Sequence, residues 1–164
     1  MDILEPILEE GNKVLVFSQF VKLLQLVAAE MSKRNWNHFM LTGRTENRGE
    51  LVRDFQSAEG GAVFLLSLKA GGFGLNLTEA SYVVLFDPWW NPAVENQAID
   101  RTHRIGQKNK VIAYRLLAKG TIEDKIRQMQ RTKKALAEEV LGEEKFAGSL
   151  TLEDLHFLFS GEAP

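Results

Sequence analysis

Short apolar runs alternate with amphipathic segments along the chain, and this alternation predicts an α/β domain built on a parallel sheet. Five runs rich in Val, Leu, Ile and Phe have the length and composition of buried strands, at residues 13–17, 37–41, 62–67, 82–86 and 110–117. Segments with apolar residues at helical spacing lie around and between them, at residues 1–10, 21–33, 45–56, 93–104, 121–141 and 149–159. Strands that alternate with helices favour right-handed crossovers, and therefore a mostly parallel sheet with helices on both faces.

Hydroxyl residues and a proline stand where four of these helices are expected to begin. Ser18 precedes the segment at 21–33, while Thr45 and Thr121 open the segments that start there. A serine or threonine oxygen at such a place accepts a hydrogen bond from a free backbone N–H of the first turn. Pro92 suits the first turn of the segment at 93–104, because it has no N–H to leave unpaired.

Composition excludes several classes of protein. At 164 residues, with 45% hydrophobic and 26% charged residues, the chain is expected to form one soluble, globular domain. It has no cysteine, which rules out a disulfide scaffold, a thiolate metal site and cysteine catalysis. No apolar run approaches the roughly 20 residues that cross a bilayer, and no signal-peptide pattern opens the chain. We therefore expect an intracellular protein with no membrane partner, cytoplasmic if bacterial and nuclear if eukaryotic.

Charge is unevenly distributed, although the net charge is only −2. Residues 101–134 contain eleven Lys or Arg against two acids, and residues 138–164 contain seven acids against one Lys. A basic block of this kind can bind phosphates, but it is equally typical of a solvated helix face. It supports a phosphate-binding function without establishing one.

Polar residues cluster directly after four of the predicted strands, at residues 18–19, 42–43, 69–76 and 87–91. In an open parallel sheet, ligands bind beside the carboxyl ends of the strands. The sequence therefore predicts one composite site at this edge of the sheet.

Two arginines near the end of the helix predicted at 93–104 are the first candidates for that site. Gln97, Arg101 and Arg104 follow one another at spacings of four and three, so their side chains share a helix face. Gly106 ends the helix and leaves Arg104 at an exposed terminus, where a guanidinium suits a phosphate oxygen. A bare pair of arginines more often makes weak surface salt bridges; its position after a strand-end loop favours the phosphate here.

Two further stretches have competing interpretations. Lys69 and the glycines at 71, 72 and 74 form either a phosphate-binding loop or a tight turn, and the pattern is neither a dinucleotide fingerprint nor a P-loop. Trp89 and Trp90 can stack on bases, but the prolines on either side favour a rigid structural loop. His38, His103 and His156 have no metal-ligand spacing, and no nucleophile–His–Asp set is complete. The chain thus has arginines directed at phosphate but no lysine or acidic pair to hold a nucleotide.

Four motifs together resemble the second RecA-like lobe of Swi/Snf-type, superfamily-two ATP-dependent DNA translocases. VLVFSQF at 14–20 is similar to helicase motif IV, and LTGRT at 41–45, with Arg48 and Phe55, is similar to the motif after it. SLKAGGFGLNL at 67–77 resembles motif V, and QAIDRTHRIGQ at 97–107 resembles motif VI in its Swi/Snf form. The resemblance covers residues 13–141 in the family's order.

The resemblance implies a role for each motif residue. Arg101 and Arg104 correspond to arginine fingers that reach ATP bound on the other lobe, and Gln97, Gly74 and Asn76 correspond to residues on the nucleotide side. DNA-backbone contacts are implied for seven residues: Ser18, Gln19, Gly43, Ser67, Lys69, Ala70 and Gly71. ATP and Mg²⁺ would be held mainly by an N-terminal lobe of the same full-length protein. The resemblance also implies double-stranded DNA as partner and, in some members, a DNA-bound protein that is remodelled.

These implications divide the chain into a lead-in helix (1–12), the RecA-like lobe (13–120), and a bracing helix with a C-terminal extension (121–164). The lobe alone is expected to hydrolyse ATP negligibly. Two alternatives stay open: a non-catalytic nucleic-acid-binding module, and a single-stranded RNA helicase lobe. The R-I-G-Q ending at 104–107 argues by resemblance against the RNA helicase.

Overall fold

The computed structural model describes residues 1–68, 75, 77–87, 110–121, 124, 125, 128 and 151–159. Within these residues there are five strands and four helices. The strands are β1 (Lys13–Ser18), β2 (His38–Leu41), β3 (Ala62–Ser67), β4 (Tyr82–Leu85) and β5 (Ile112–Arg115). The helices are α1 (Leu4–Glu9), α2 (Val21–Lys33), α3 (Arg48–Ser57) and α4 (Leu152–Phe159).

All five strands pair in parallel, in the order β2-β3-β1-β4-β5. Ser18 pairs with Ser67, Phe17 pairs with Leu85, and Leu41 pairs with Leu66. The carboxyl ends of β1 to β4 therefore lie within about one residue of a common line, which we call the carboxyl edge. The predicted parallel α/β fold is confirmed, and the sheet is wholly rather than mostly parallel.

Alternate residues of β1 face opposite sides of the sheet and enter two separate cores. Val14 and Val16 pack with residues of α1 and α2, whereas Leu15 and Phe17 pack on the side of α3. Helices thus cover both faces, as predicted, and the two central strands are buried on both sides. Double burial explains why β1 and β3 read as continuous apolar runs rather than as alternating ones.

A cluster of aromatic rings fixes α3 against the sheet. Phe55 of α3 lies with its ring centroid 4.9 Å from that of Phe64 and 5.8 Å from that of Phe39. Phe55 and Phe64 are fully buried. This contact determines where α3 begins relative to the end of β2, and therefore positions the loop between them.

Gly61 is required by the close approach of α1. A Cβ atom at this position would stand 2.3 Å from the backbone oxygen of Leu8, a distance that no side chain can adopt. The absence of a side chain at Gly61 thus lets the end of α1 pack on the start of β3.

Two of the predicted helix caps are wrong. Phe20 rather than Ser18 occupies the N-cap of α2, and Asn47 rather than Thr45 occupies that of α3. Neither N-cap residue makes a side-chain capping bond. The Ser18 hydroxyl binds Asp87 of another loop, and the Thr45 hydroxyl binds Thr42 of its own loop, as described below. Helix α3 starts three residues later than predicted.

The C-terminal helix is shorter than predicted and has a cap that the pattern did not indicate. Thr151 Oγ1 accepts the N–H of Asp154 at 3.2 Å, and Asp154 Oδ2 accepts the N–H of Thr151 at 2.8 Å. This reciprocal capping box explains why α4 begins at Leu152. Strand β5 is also shorter than predicted, spanning Ile112–Arg115.

Two predicted helices fall mainly or wholly outside the described residues: the arginine helix at 93–104 and most of the charged helix from Thr121. Among the described helices, none has the length and apolar character needed to cross a membrane.

Candidate functional site

The carboxyl edge brings together loops that are far apart in the sequence. Along this edge the strand order places the Gly43 loop after β2 first, then Ser67 of β3, then Ser18 of β1, and finally Asp87 after β4. Four of the predicted DNA-backbone residues, Ser18, Gln19, Gly43 and Ser67, thus belong to neighbouring strand ends. In the described part of the chain, these strand ends share one edge of the sheet, and the composite site there stays a prediction.

The turn after β1 is held by a carboxylate from the neighbouring strand. Asp87 Oδ1 accepts the hydroxyl proton of Ser18, and Asp87 Oδ2 accepts the backbone N–H of Gln19 at 2.8 Å. Ser18 Oγ in turn accepts the N–H of Phe20 at 3.0 Å. Ser18 is fully buried, so its hydroxyl has become a structural link between two loops.

The loop after β2 is held by its own residues. Thr45 Oγ1 accepts the N–H of Thr42 at 3.0 Å, and Thr42 Oγ1 accepts the N–H of Arg44 at 3.3 Å. The guanidinium of Arg48 donates to the backbone oxygens of Thr45 and Gly43, at 3.0 and 3.2 Å. We call residues Thr42 to Arg48 the β2 loop. These hydrogen bonds stabilise its conformation without a ligand.

Gly43, at the tip of the β2 loop, is open to solvent. No described heavy atom lies within 4 Å of the position that a Cβ would take there, and its φ is not in the left-handed region. Neither packing nor backbone conformation therefore requires a glycine. An open backbone at a strand end is suited to close approach by a phosphate oxygen.

Ser67, which pairs with Ser18, has a hydroxyl without a partner among the described residues. Its side-chain oxygen is buried and has no hydrogen-bond partner, the one such atom among the described residues. A buried polar group without a partner costs about 1–3 kcal/mol, so it needs a functional or structural reason. Ser67 opens the glycine-rich stretch at 67–77, of which only residues 67, 68, 75 and 77 are described.

Eight predicted site residues lie outside the described part of the chain. They are Lys69, Ala70, Gly71, Gly74, Asn76, Gln97, Arg101 and Arg104. Their assigned roles stay predictions from the motif resemblance.

Neighbouring charges lower the pKa of Glu30, which lies away from the carboxyl edge. Hydrogen bonds from Lys33 and then Arg34 hold the pKa of the exposed Glu30 below its ordinary value. Glu30 lies near the end of α2, which is remote from the carboxyl edge because crossover helices run antiparallel to the strands. Within the described ranges no group of three His, Cys, Asp or Glu side chains could hold a metal ion.

Two contributions of single residues were not predicted. Sequence reasoning placed Asp87 among the polar residues at a strand end but missed its contact with Ser18 and Gln19. The signal in the sequence was Asp87, an acidic residue just beyond one buried strand, together with Ser18, a serine at the end of another. Arg48 was read only as part of a motif, whereas its guanidinium braces the Gly43 backbone.

Comparisons with known proteins agree with this fold. The family model "Helicase conserved C-terminal domain" matches residues 1–106. An uncharacterized ATP-dependent helicase of Mycoplasma genitalium is 43% identical over 162 residues, 97% of this chain and 16% of that protein. The chromatin-remodeling ATPase INO80 of Saccharomyces cerevisiae is 40% identical over 142 residues, 85% of this chain and 10% of that protein.

A solved structure has the same fold, and this chain covers a larger share of its length than of either relative. The Sulfolobus solfataricus SWI2/SNF2 ATPase core in complex with dsDNA superposes with a TM-score of 0.76 and 33% identity, over 96% of this chain and 34% of that one. The chain thus spans about a third of that core, and 16% or less of the two curated relatives named above.

Proposed function

Because the chain belongs to the helicase conserved C-terminal domain family, as a lobe of the Swi/Snf type, we propose that it is the second motor lobe of an ATP-dependent translocase on double-stranded DNA. The observation that carries this proposal is the carboxyl edge, where the strand order aligns Gly43, Ser67, Ser18 and Asp87. The first lobe of the same full-length protein is the required partner.

The DNA side of the proposal rests on three features of the carboxyl edge. Gly43 offers open backbone, Gln19 offers a side-chain amide on a turn held in place, and Ser67 lies at the strand end between them with its hydroxyl buried. Contacts of this kind, from backbone N–H groups and small polar side chains, bind phosphates without reading sequence. Ser18 contributes through its bond to Asp87, and Lys69, Ala70 and Gly71 extend the same surface by resemblance.

The nucleotide side rests on the motif residues. Arg101 and Arg104 act as fingers toward ATP bound on the first lobe, with Gln97, Gly74 and Asn76 lining the same cleft. The fingers stabilise negative charge that develops on the transferring phosphoryl group. Mg²⁺ and the remaining phosphate contacts belong mainly to the first lobe, so this chain alone hydrolyses ATP negligibly.

The proposal is tested by comparing the 164-residue chain with the two-lobe protein in a steady-state ATPase assay with and without duplex DNA. We expect DNA-stimulated turnover from the two-lobe protein and none above background from the single lobe. In the two-lobe protein, Arg104→Ala should lower kcat by about a thousandfold or more and leave ATP binding largely intact. Arg53→Ala removes an exposed arginine of α3 and serves as the matched control.

The outcomes distinguish the alternatives. Robust turnover by the single lobe, or near-normal turnover by Arg104→Ala, would contradict the proposal. DNA binding by a two-lobe protein that has no ATPase activity would favour a non-catalytic nucleic-acid-binding module. Stimulation by single-stranded RNA but not by duplex DNA would favour an RNA helicase lobe.

The cellular role follows from the same proposal. A translocase on duplex DNA works where the DNA is, in the cytoplasm of a bacterium or in a nucleus. A DNA-bound protein displaced by translocation is a further expected partner, by analogy with the relative named as a chromatin-remodeling ATPase.

A further inference from the structure

We propose that Asp87 is a positioning residue that couples the turn after β1 to the chain segment that follows β4 and carries Arg101 and Arg104. The inference rests on the proposed function, because it assigns the route by which DNA at the carboxyl edge influences the predicted fingers. Asp87 itself contacts neither DNA nor nucleotide in this proposal.

The carboxylate of Asp87 makes two contacts with one turn. Its Oδ1 binds the hydroxyl of Ser18 and its Oδ2 binds the N–H of Gln19. Two oxygens on two donors fix the orientation of the carboxyl plane, which a single hydrogen bond does not do. Hydrogen bonds to an ionised carboxylate are also about twice as strong as those between neutral groups.

The pairing of β1 with β4 places Ser18 and Asp87 at the same level along the strand direction. Phe17 of β1 pairs with Leu85 of β4, and the N–H of Phe86 donates to the backbone oxygen of Phe17 at 3.0 Å. The pairing of β1 with β4 therefore ends immediately before Ser18 on one strand and immediately before Asp87 on the other, while Ser18 still pairs with Ser67 of β3. The carboxylate closes the gap at the point where the backbone ladder stops.

Ser18 makes the link specific. It is fully buried, and its oxygen accepts the N–H of Phe20 while its proton goes to Asp87. Without the carboxylate, a buried hydroxyl and the N–H of Gln19 would both need new partners. The turn that presents Gln19 thus depends on Asp87 for its conformation.

The covalent chain continues the link toward the predicted fingers. Asp87 is followed directly by the segment that contains Gln97, Arg101 and Arg104. A DNA phosphate that binds Gln19 and shifts it would also shift its backbone N–H, which is bound to Asp87. Asp87 would then move, and the start of the following segment would move with it. DNA contact at β1 would in this way alter the placement of groups that act on ATP.

The kinetic test uses Asp87→Ala in the two-lobe protein. We expect the stimulation of kcat by duplex DNA to fall by about tenfold, the effect of losing roughly one hydrogen bond to a charged group. The KM for ATP and the DNA-free rate should change by no more than about twofold, since ATP is held by the other lobe. Asp87→Asn keeps one acceptor oxygen but presents a donor NH2 in place of the second, so it should restore only part of the stimulation.

Asp54→Ala is the matched control, because it removes an exposed carboxylate of α3. It should leave stimulation unchanged. A merely structural role for Asp87 predicts a different result: DNA-free rate, stimulation and melting temperature would fall together, and Asp87→Asn would not separate them. That result, or full stimulation in Asp87→Ala, would overturn the inference.

A second measurement decides the inference even if the proposed function fails. In the 164-residue chain, Ser18→Ala should shift the amide NMR resonances of Asp87 and of Trp89, the first residue after it that has an amide proton, whereas Ser57→Ala should not. If the wild-type two-lobe protein lacks DNA-stimulated ATPase activity, the proposed function is wrong. If Ser18→Ala leaves those resonances unmoved, the coupling is wrong.

Discussion

Two neighbouring loops at the carboxyl edge are stabilised in opposite ways. The turn after β1 is held by Asp87, which is 69 residues from Ser18 in the sequence. Within the described residues, the β2 loop is held by Thr42, Thr45 and Arg48 through side-chain bonds that span at most five residues. Both loops present polar backbone at the same edge, but the described bonds of the first reach across the sequence and those of the second are local.

This difference separates what each loop can do. The hydrogen bonds described for the β2 loop lie within it, and they favour one fixed shape in which Gly43 is presented. The turn after β1 exists in its observed form only when β1 and β4 pair and bring Asp87 beside Ser18. A loop with local bonds is suited to rigid contact, whereas a loop with a distant partner can pass a displacement on.

The largest expected effect is the loss of stability in Phe55→Ala, which tests whether the position of the β2 loop depends on the core. Phe55→Ala removes a fully buried ring that packs on Phe39 and Phe64 beneath α3. We expect a loss of about 3–5 kcal/mol in the free energy of unfolding, measured by denaturant titration. Phe159→Ala, at an exposed ring, should change it by no more than about 0.5 kcal/mol.

A loss below about 1 kcal/mol in Phe55→Ala would show that the aromatic cluster does not hold α3. The β2 loop would then owe its position as well as its shape to its own hydrogen bonds.

A smaller effect would sharpen the comparison directly. Thr45→Ala removes the oxygen that accepts the N–H of Thr42, at an expected stability cost of about 1 kcal/mol. Amide hydrogen exchange at Thr42 should accelerate while exchange at Gln19 stays unchanged. Asp87→Ala should do the reverse.

Thr45→Ser is the matched control because it keeps the hydroxyl, and it should preserve the protection of Thr42. If Thr45→Ala accelerates exchange at Gln19 as well, the two loops are one unit and the contrast between them is wrong.

The smallest effect concerns Glu30, whose partners are local, like those of the β2 loop, but exposed. Lys33 and Arg34 lie 3.3 and 3.1 Å from its carboxylate and lower its pKa in the folded state. Its contribution to stability is therefore present above the unfolded-state pKa and is lost as pH falls through the lowered folded-state pKa.

Wild type and Glu30→Gln should accordingly differ slightly in melting temperature near neutral pH and not at all in acid. Exposed pairs of this kind are worth little, so the difference near neutrality should approach the limit of measurement. A difference that grows as pH falls would contradict this assignment.

The pattern of residues was sufficient for most of the framework. Continuous apolar runs located all five strands, and the bounds of β3 and α2 were predicted to the residue. Helical spacing likewise located α1 and α4, although both ended up shorter than predicted. These elements are predictable because burial on two faces, or on one, leaves a direct record in the spacing of apolar residues.

Caps and loop partners were less predictable. Ser18 and Thr45 were placed as helix caps because hydroxyls before a helix often are, but each found a nearer partner. A side-chain oxygen can satisfy several donors, and the choice depends on what the folded chain brings within about 3 Å. The arginine fingers were identified by resemblance alone and stay predictions.

The sequence by itself determined the parallel α/β fold, the location of polar loops at the carboxyl edge, and the motif residues of a helicase lobe. Only the tertiary structure decided that β4 lies beside β1, which brings Asp87 to Ser18, and that β3 leaves the Ser67 hydroxyl without a partner among the described residues. Local spacing records which residues are buried, because burial acts on each residue separately. A hydrogen bond between two loops depends on the order of strands in the sheet, and no single stretch of sequence contains that order.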